Sequence, residues 1–314
     1  MNELNKNYSE GMEFILLGFR TSPDVQILLF SLFLLIYMVI VAGNISMLVV
    51  TKIDSRLHTP MYFFLRNLSY LDLCYFSVIA PQTLATLLSK DKRISYNGCA
   101  TQFFFFALFV GTEGFLLAVM AYDRILAICS PFLYAVRMSQ QAYVRLVIAS
   151  YVCGCINSMI QTGFTFSLCF CGENRLDHFF CDVPALITIS CVDTLVNEIV
   201  LFILSALITI TTKTVILASY ACILSTVLKI PSAHGSSETF STCSSQITVV
   251  SLFSGTVFFM NAQPGAISSP EMNKIIAAFY TLIIPMLNPL IYSLRNREVK
   301  NAVKRILLRK KSFH

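Results

Sequence analysis

Seven stretches of mostly apolar residues, each long enough to cross a bilayer, constrain this chain more than any single motif. They run over Gln26–Val50, Met61–Leu87, Cys99–Ile125, Tyr143–Leu168, Glu198–Leu228, Thr239–Ala262 and Asn273–Leu294. About 20 apolar residues in a helix span a hydrocarbon core of about 30 Å, whereas a membrane strand needs only about 9–11. The lengths therefore predict helices and exclude a β-barrel. Hydrophobic residues make up 56% of the chain and charged residues 13%. That balance suits an outer surface dissolved in lipid, and it excludes a disordered chain, a nucleic-acid-binding domain and an ordinary soluble enzyme. The predicted fold is an all-α, seven-transmembrane helix bundle with a short amphipathic helix at its C-terminal end. It divides into an extracellular N-terminus (1–25), the bundle (26–294) and a cytoplasmic helix and tail (295–314).

Charge orients the bundle. The first 25 residues have no basic start followed by a short apolar run and a cleavage site. The first helix is thus predicted to act as its own insertion signal. With the N-terminus outside, fifteen of the 23 basic residues fall on the inner side and seven on the outer, with Lys213 inside a span. This obeys the positive-inside rule. The formal charge of +6 then reads as a topology signal and an attraction to anionic inner-leaflet lipid, with no need for nucleic acid. The orientation predicts a multi-pass plasma-membrane protein with its C-terminus in the cytoplasm.

Topology sorts the small motifs. Of three glycosylation sequons only Asn7-Tyr8-Ser9 lies outside a span, on the outer face, so Asn7 is the candidate acceptor. Five of the eleven cysteines (Cys99, Cys169, Cys171, Cys181 and Cys191) fall at or near the outer face, where disulfides form. Spacing leaves their pairing open. The connection from about 169 to 197 is long for a segment without structure, and disulfides would lower its entropy.

Polar groups inside the spans are costly and mark candidate sites. Asp72 and Glu113 lie about 18 and 21 Å into the second and third spans at 1.5 Å per residue. Both carboxyls fall near mid-membrane. They form a candidate sodium or proton site, with Asn44 and Asn288 as polar neighbours, or else hydrogen-bond across helices in protonated form. No other cofactor is implied. Met120-Ala121-Tyr122-Asp123-Arg124 ends the third span on the inner side, where an Asp-Arg contact is expected to hold Arg124 in one state and release it in another. Pro285-Met286-Leu287-Asn288-Pro289-Leu290-Ile291-Tyr292 ends the seventh. Pro289 removes a helix hydrogen bond and loosens that turn. Beyond it Val299, Ala302, Val303, Ile306 and Leu307 share one face of a basic amphipathic helix expected to lie on the inner leaflet.

Taken together these patterns resemble a rhodopsin-like G-protein-coupled receptor and, within that class, an olfactory (odorant) receptor. The matching segments are the run from Leu57 to Leu65, Leu68-Ser69 with Asp72, the run from Met120 to Arg124, Ser219-Tyr220, Phe240-Ser241-Thr242-Cys243-Ser244-Ser245, and the run from Pro285 to Asn296. The resemblance covers nearly the whole chain. It implies pairing of Cys99 with Cys181 and of Cys171 with Cys191, leaving Cys169 free. It implies a G-protein switch at Asp123 and Arg124, supported by Tyr220, Asn288, Pro289 and Tyr292. It implies a small volatile ligand and a heterotrimeric partner, the stimulatory olfactory G protein, which activates adenylyl cyclase. Family position and helical phase give a ligand-lining set of Phe106, Ala107, Val110, Gly111, Leu204, Ser205, Ser254, Val257, Phe258 and Tyr280. Ordinary helix packing explains the same residues about as well. The chain departs from the family pattern at Ile125, Tyr151, Lys213, Glu238, Thr239, Gln246 and Ser254. Lys213 shares a helical face with Ser205, Thr209 and Tyr220, which should point into the bundle.

A secondary transporter or proton carrier using Asp72, Glu113 and Lys213 is the alternative. The absence of visible paired repeats and the positions of the Asp-Arg and Asn-Pro-x-x-Tyr motifs favour the receptor. An enzyme is disfavoured, because the four histidines are scattered and no zinc-helix, phosphate-loop or nucleophile-elbow motif occurs.

Overall fold

The computed structural model describes residues 13–19, 21–89, 92–171 and 174–227, together with 274, 277–278, 281–282, 286–287 and 299–305. The sixth predicted span, most of the seventh, and the site residues Asn7, Ser254, Val257, Phe258, Tyr280, Asn288, Pro289 and Tyr292 lie outside the described residues.

Five helices among the described residues are long and apolar enough to cross a membrane. They are α1 (Pro23–Ile53), α2 (Pro60–Leu88), α3 (Tyr96–Cys129), α5 (Gln140–Phe166) and α7 (Leu195–Val227), with the short α4 (Pro131–Arg137) and α6 (Val183–Ile187) between them. All five match predicted spans. Most run a few residues further, because helical hydrogen bonding continues past the apolar core until a cap or turn stops it. Proline occupies the first turn of α1 and α2, where its fixed φ suits the helix and its missing N–H costs nothing. Ser95 caps α3 by accepting from the Gly98 amide at 3.1 Å.

α3 packs against α2, α5 and α7, while α1 packs on α2. Of the five helices α3 is the most buried and α1 the least. Large apolar side chains face outward on the peripheral helices, as with Leu28 and Leu35 of α1 and Ile210 and Leu217 of α7. In water that surface would be a liability; in lipid it is the solvent-facing side. The inner half holds the largest apolar cluster, which includes Met47, Leu57, Tyr62, Leu65, Leu117 and Met120. Val299 and Ala302, from the helical residues 299–305, are buried in the same cluster.

The outer face carries a feature that helical spans do not announce. β1 (Glu13–Leu16) lies between β2 (Arg93–Ser95) and β3 (Arg175–Leu176) in a three-stranded sheet. It runs antiparallel to β2, with Phe14 opposite Ile94, and parallel to β3, with Ile15 opposite Arg175. Strands this short gain their stability from what they cover. Phe14 and Leu16 are fully buried against Cys99, Phe170, Leu176, Cys181 and Leu186. The N-terminal segment is thus folded onto the outer loops, and the connection after α5 contains β3, α6 and a bridge between Phe170 and Ser190 rather than a bare loop.

Candidate functional site

The outer half of α3 meets the loop that follows α5. Phe106 and Ala107 are buried, and Val110 is half-buried against the same aromatic cluster. Phe180 descends from the loop with its ring 5.2 Å from Phe106, and Tyr75 of α2 approaches Phe106 from another side at 5.7 Å. Phe179 lies beside Phe180 at 5.1 Å. The loop is fixed above this cluster by Gln102. Its Oε1 accepts from the Cys181 amide at 3.0 Å while its Nε2 donates to the Val78 carbonyl at 3.2 Å. Tyr75, Gln102, Phe179 and Phe180 were absent from the ligand-lining set read from sequence. Gln102 had a signal, a buried polar residue in an apolar run; the loop aromatics had none beyond their place next to Cys181.

The remaining predicted lining residues separate. Leu204 and Ser205 are half-buried on α7, which packs along α3. Gly111 points its missing side chain at α5: a Cβ there would lie 3.3 Å from Asn157 Nδ2 and 3.6 Å from Gly154 Cα. Its place is explained by close helix approach, since small residues let two backbones meet. Lys213 is half-buried on α7, as are Ser205, Thr209 and Tyr220 of the same stripe.

Two disulfides hold the lid. Cys99 at the start of α3 is joined to Cys181, and Cys171 to Cys191, each pair with Cα atoms 5.6 Å apart. Cys169 is exposed and belongs to neither disulfide. Around Phe179 and Phe180 sit buried ionisable groups. Lys274 is almost fully buried and donates to Asp177 at 2.6 Å. His178 stacks on Phe179 with centroids 4.7 Å apart. Burial, and then the Lys274 charge, lower its pKa to about 3, so the ring is neutral. Asp182 caps α6 by accepting from the Val183 amide at 2.8 Å, yet burial raises its pKa to about 6.

Asp72 and Glu113 are both buried, on neighbouring helices. Asn44 is fully buried; it donates to the Ile40 carbonyl, and its Oδ1 has no partner among the described residues. Asp72, Glu113 and Asn44 are thus buried polar groups on three successive helices, α2, α3 and α1, of which α2 packs on both of the others. No cluster of three or more His, Cys, Asp or Glu residues that could hold a metal occurs among the described residues.

At the inner end Asp123 is buried and accepts from the Tyr134 hydroxyl of α4 at 2.9 Å. Burial, and then the neighbouring carboxylate, push the Tyr134 pKa well up, so its hydroxyl remains a donor. Arg124 instead reaches the sulfur of Met61 on α2. No ion pair joins Asp123 to Arg124 among the described residues, which corrects the expected contact. Adjacent helical residues do not face each other, so the two side chains find different partners. Tyr220 packs on the inner cluster, which includes Met120 and Ala121 of α3, and also on Ile223 of α7. Phe132, in the first turn of α4, is 96% exposed. Sequence reading missed both Tyr134 and Phe132.

Comparisons with known proteins agree with this architecture. A family model described as olfactory receptor matches residues 33–310. Olfactory receptor 9S13 of Mus musculus is 54% identical over 293 residues, covering 93% of this chain and 88% of that protein. Olfactory receptor OR9H1 of Homo sapiens is 53% identical over 299 residues, with 95% and 97% coverage. The crystal structure of squid rhodopsin superposes with a TM-score of 0.71 at 18% identity, over 91% of this chain and 86% of that one. That last likeness speaks to the fold alone.

Proposed function

The chain belongs to the olfactory receptor family, and from that premise we propose that it detects small, mostly apolar volatile molecules in the outer half of the bundle and activates a stimulatory olfactory G protein, raising cyclic AMP. It is a multi-pass membrane receptor and not an enzyme. The reading has the N-terminus outside, with Asn7 as a glycan acceptor, and the C-terminus in the cytoplasm. The observation that carries the signalling half is the inner end of α3. A buried Asp123 tied to α4, an Arg124 turned toward α2 and a Phe132 at 96% exposure stand within ten residues. An exposed aromatic ring beside the Asp-Arg pair can serve as an anchor for a partner's pocket. In this reading Phe132 meets the G protein, and Arg124 leaves Met61 when the helices part, with Tyr220, Asn288, Pro289 and Tyr292 stabilising its new position.

The ligand half rests on Phe106, Ala107 and Val110 beneath Phe179 and Phe180, with Leu204, Ser205, Ser254, Val257, Phe258 and Tyr280 completing the wall. Mostly apolar walls with a few hydroxyls suit a small neutral molecule. Asp72 and Glu113, with the open Asn44 oxygen, would hold a sodium ion. The apolar outer faces of α1 and α7 are its contact with lipid.

The test is cyclic AMP in transfected cells exposed to a chemically diverse odorant panel. The wild type should respond to some members without taking them up. Arg124→Ala should reach the surface and lose at least about 90% of the response, as expected when a contact worth more than about 1.4 kcal/mol is needed in the active state. A well-expressed Arg124→Ala receptor with a normal response would overturn the switch, and uptake of substrate without cyclic AMP would favour a transporter.

A further inference from the structure

The segment before α1 is not simply a tail. β1 is the central strand of the outer sheet, and its pairing continues past Leu16. The Leu17 amide donates to the Leu176 carbonyl at 2.9 Å, and the Gly18 amide to the His178 carbonyl at 3.1 Å. Gly18 has φ +61°, a conformation that favours glycine, and a Cβ there would lie 3.2 Å from the Thr86 methyl. The turn swings the next residue inward. Phe19 stacks on Phe179 with centroids 5.4 Å apart and planes 15° apart, and meets Phe33 of α1 at 6.2 Å. Phe179 touches Phe180, and Phe180 touches Phe106. A continuous row of rings therefore links the N-terminal segment to the wall of the candidate cavity.

We propose that residues 13–19 form a strap across the mouth of the ligand cavity, with Phe19 the positioning residue that holds Phe179 and Phe180 over Phe106. This rests on the cavity assigned above. The lid residues 177–181 belong to no helix or strand. They are held at one end by the Cys99–Cys181 bond and Gln102, and by the Asp177–Lys274 pair. Phe179 lies between those fixings, and among the described residues the rings that meet it from outside the lid are Phe19 and Phe33. An apolar ligand entering from the outer face must part this row of rings, so the strap sets how readily the cavity opens and how large a molecule passes.

The experiment needs no agonist. Val110→Cys in a Cys169→Ser background reports access to the cavity, read as the rate at which a membrane-impermeant cationic methanethiosulfonate modifies receptors on intact cells. Phe19→Ala should speed the reaction about tenfold, the factor that one lost aromatic stack and its buried area allow. Phe19→Tyr keeps the ring and should stay within about twofold of the parent, since the stacking face is unchanged. An unchanged rate in a surface-delivered Phe19→Ala receptor overturns the strap. If Phe19→Ala fails to reach the surface, Phe19→Leu, which keeps apolar volume without the flat ring, should be delivered and show an intermediate rate. Failure of Phe19→Leu to be delivered, or an unchanged rate in it, also overturns the proposal. Protection of Val110→Cys by an odorant that raises cyclic AMP reports separately on the cavity. Faster labelling in Phe19→Ala without such protection would remove the cavity and leave the strap standing.

Discussion

His178 and Asp182 are four residues apart in the outer lid, and burial drives their protonation in opposite senses. His178 resists taking up a proton, with its folded pKa lowered from 6.5 to about 3. The stability it contributes is present above about pH 6.5 and is lost as pH falls from there toward 3. Asp182 resists losing one, its pKa raised from 3.8 to about 6. Its contribution is present below about pH 4 and is lost as pH rises through 6. Between pH 7 and 5 the two oppose each other, so the wild type should lose only modest stability. The single variants should separate them. Asp182→Asn should make acid destabilisation steeper, and His178→Asn should reverse it, so that the receptor gains stability on acidification. Thermal unfolding of detergent-purified receptor at pH 7 and 5, followed with a thiol-reactive dye, checks both. Parallel pH dependence in all three proteins would show that other groups control the lid. The electrostatics of these residues is invisible in the string His178-Phe179-Phe180-Cys181-Asp182, because each shift depends on the depth at which the loop seats.

The contact between α3 and α5 turns on one absent side chain. A Cβ on Gly154 would collide with the Thr112 hydroxyl and lie 3.0 Å from both the Leu108 carbonyl oxygen and the Thr112 amide nitrogen. Two of those three obstacles are backbone and cannot rotate away. Gly154→Ala should therefore cost about 1–3 kcal/mol, the usual range for overpacking, and lower surface delivery. Gly163, on the same helix, has nothing within 4 Å of its would-be Cβ, so Gly163→Ala should leave delivery unchanged. Surface labelling of the two variants side by side makes the comparison, and equal behaviour would deny the close approach. The alternation in Cys153-Gly154-Cys155 carried no sign of this role. A glycine in an apolar helix is ambiguous until its partner helix is known.

Over the whole molecule, the C-terminal helical residues are tied to the first inner loop. Arg305 donates through Nη2 and Nε to Asp54 Oδ2 at 2.6 and 3.1 Å. Asp54 Oδ1 also accepts from the Arg56 amide, closing the turn between α1 and α2. The Arg305 hydrogen bond, more than any other influence, holds the Asp54 carboxyl below its usual range, so the pair stays charged at physiological pH. Ala302 and Val299, about one and two turns back, are buried with Met120 and Ala121 of α3. Loosening the tie should disturb the ends of the helices on which signalling depends. Maximal agonist-driven cyclic AMP should fall in the order wild type, Arg305→Lys, Arg305→Ala, because lysine keeps the charge but loses the two-pronged donor. Surface amounts should stay level. Equal maxima across the series would reduce the pair to an incidental surface contact.

Local physics made the spans legible. An apolar run of 20 or more residues has few options in lipid beyond a helix, whatever its neighbours, so α1, α2, α3, α5 and α7 could be read without a structure. The resemblance of Leu57–Leu65 and Met120–Arg124 to one receptor family is likewise a property of the string, and the family comparison agrees with it. What depended on tertiary structure was every pairing between distant segments. β1 meets β2 and β3 about 80 and 160 residues further along the chain, and four residues of modest alternation give no local hint of a strand. Asp123 turned to Tyr134 rather than Arg124 because helical geometry and the fold of α4 chose its partner. Phe19 became part of a lid only because Gly18 turns it toward a ring delivered by another loop. A sequence records which groups must leave water, and only the assembled bundle decides which of them meet.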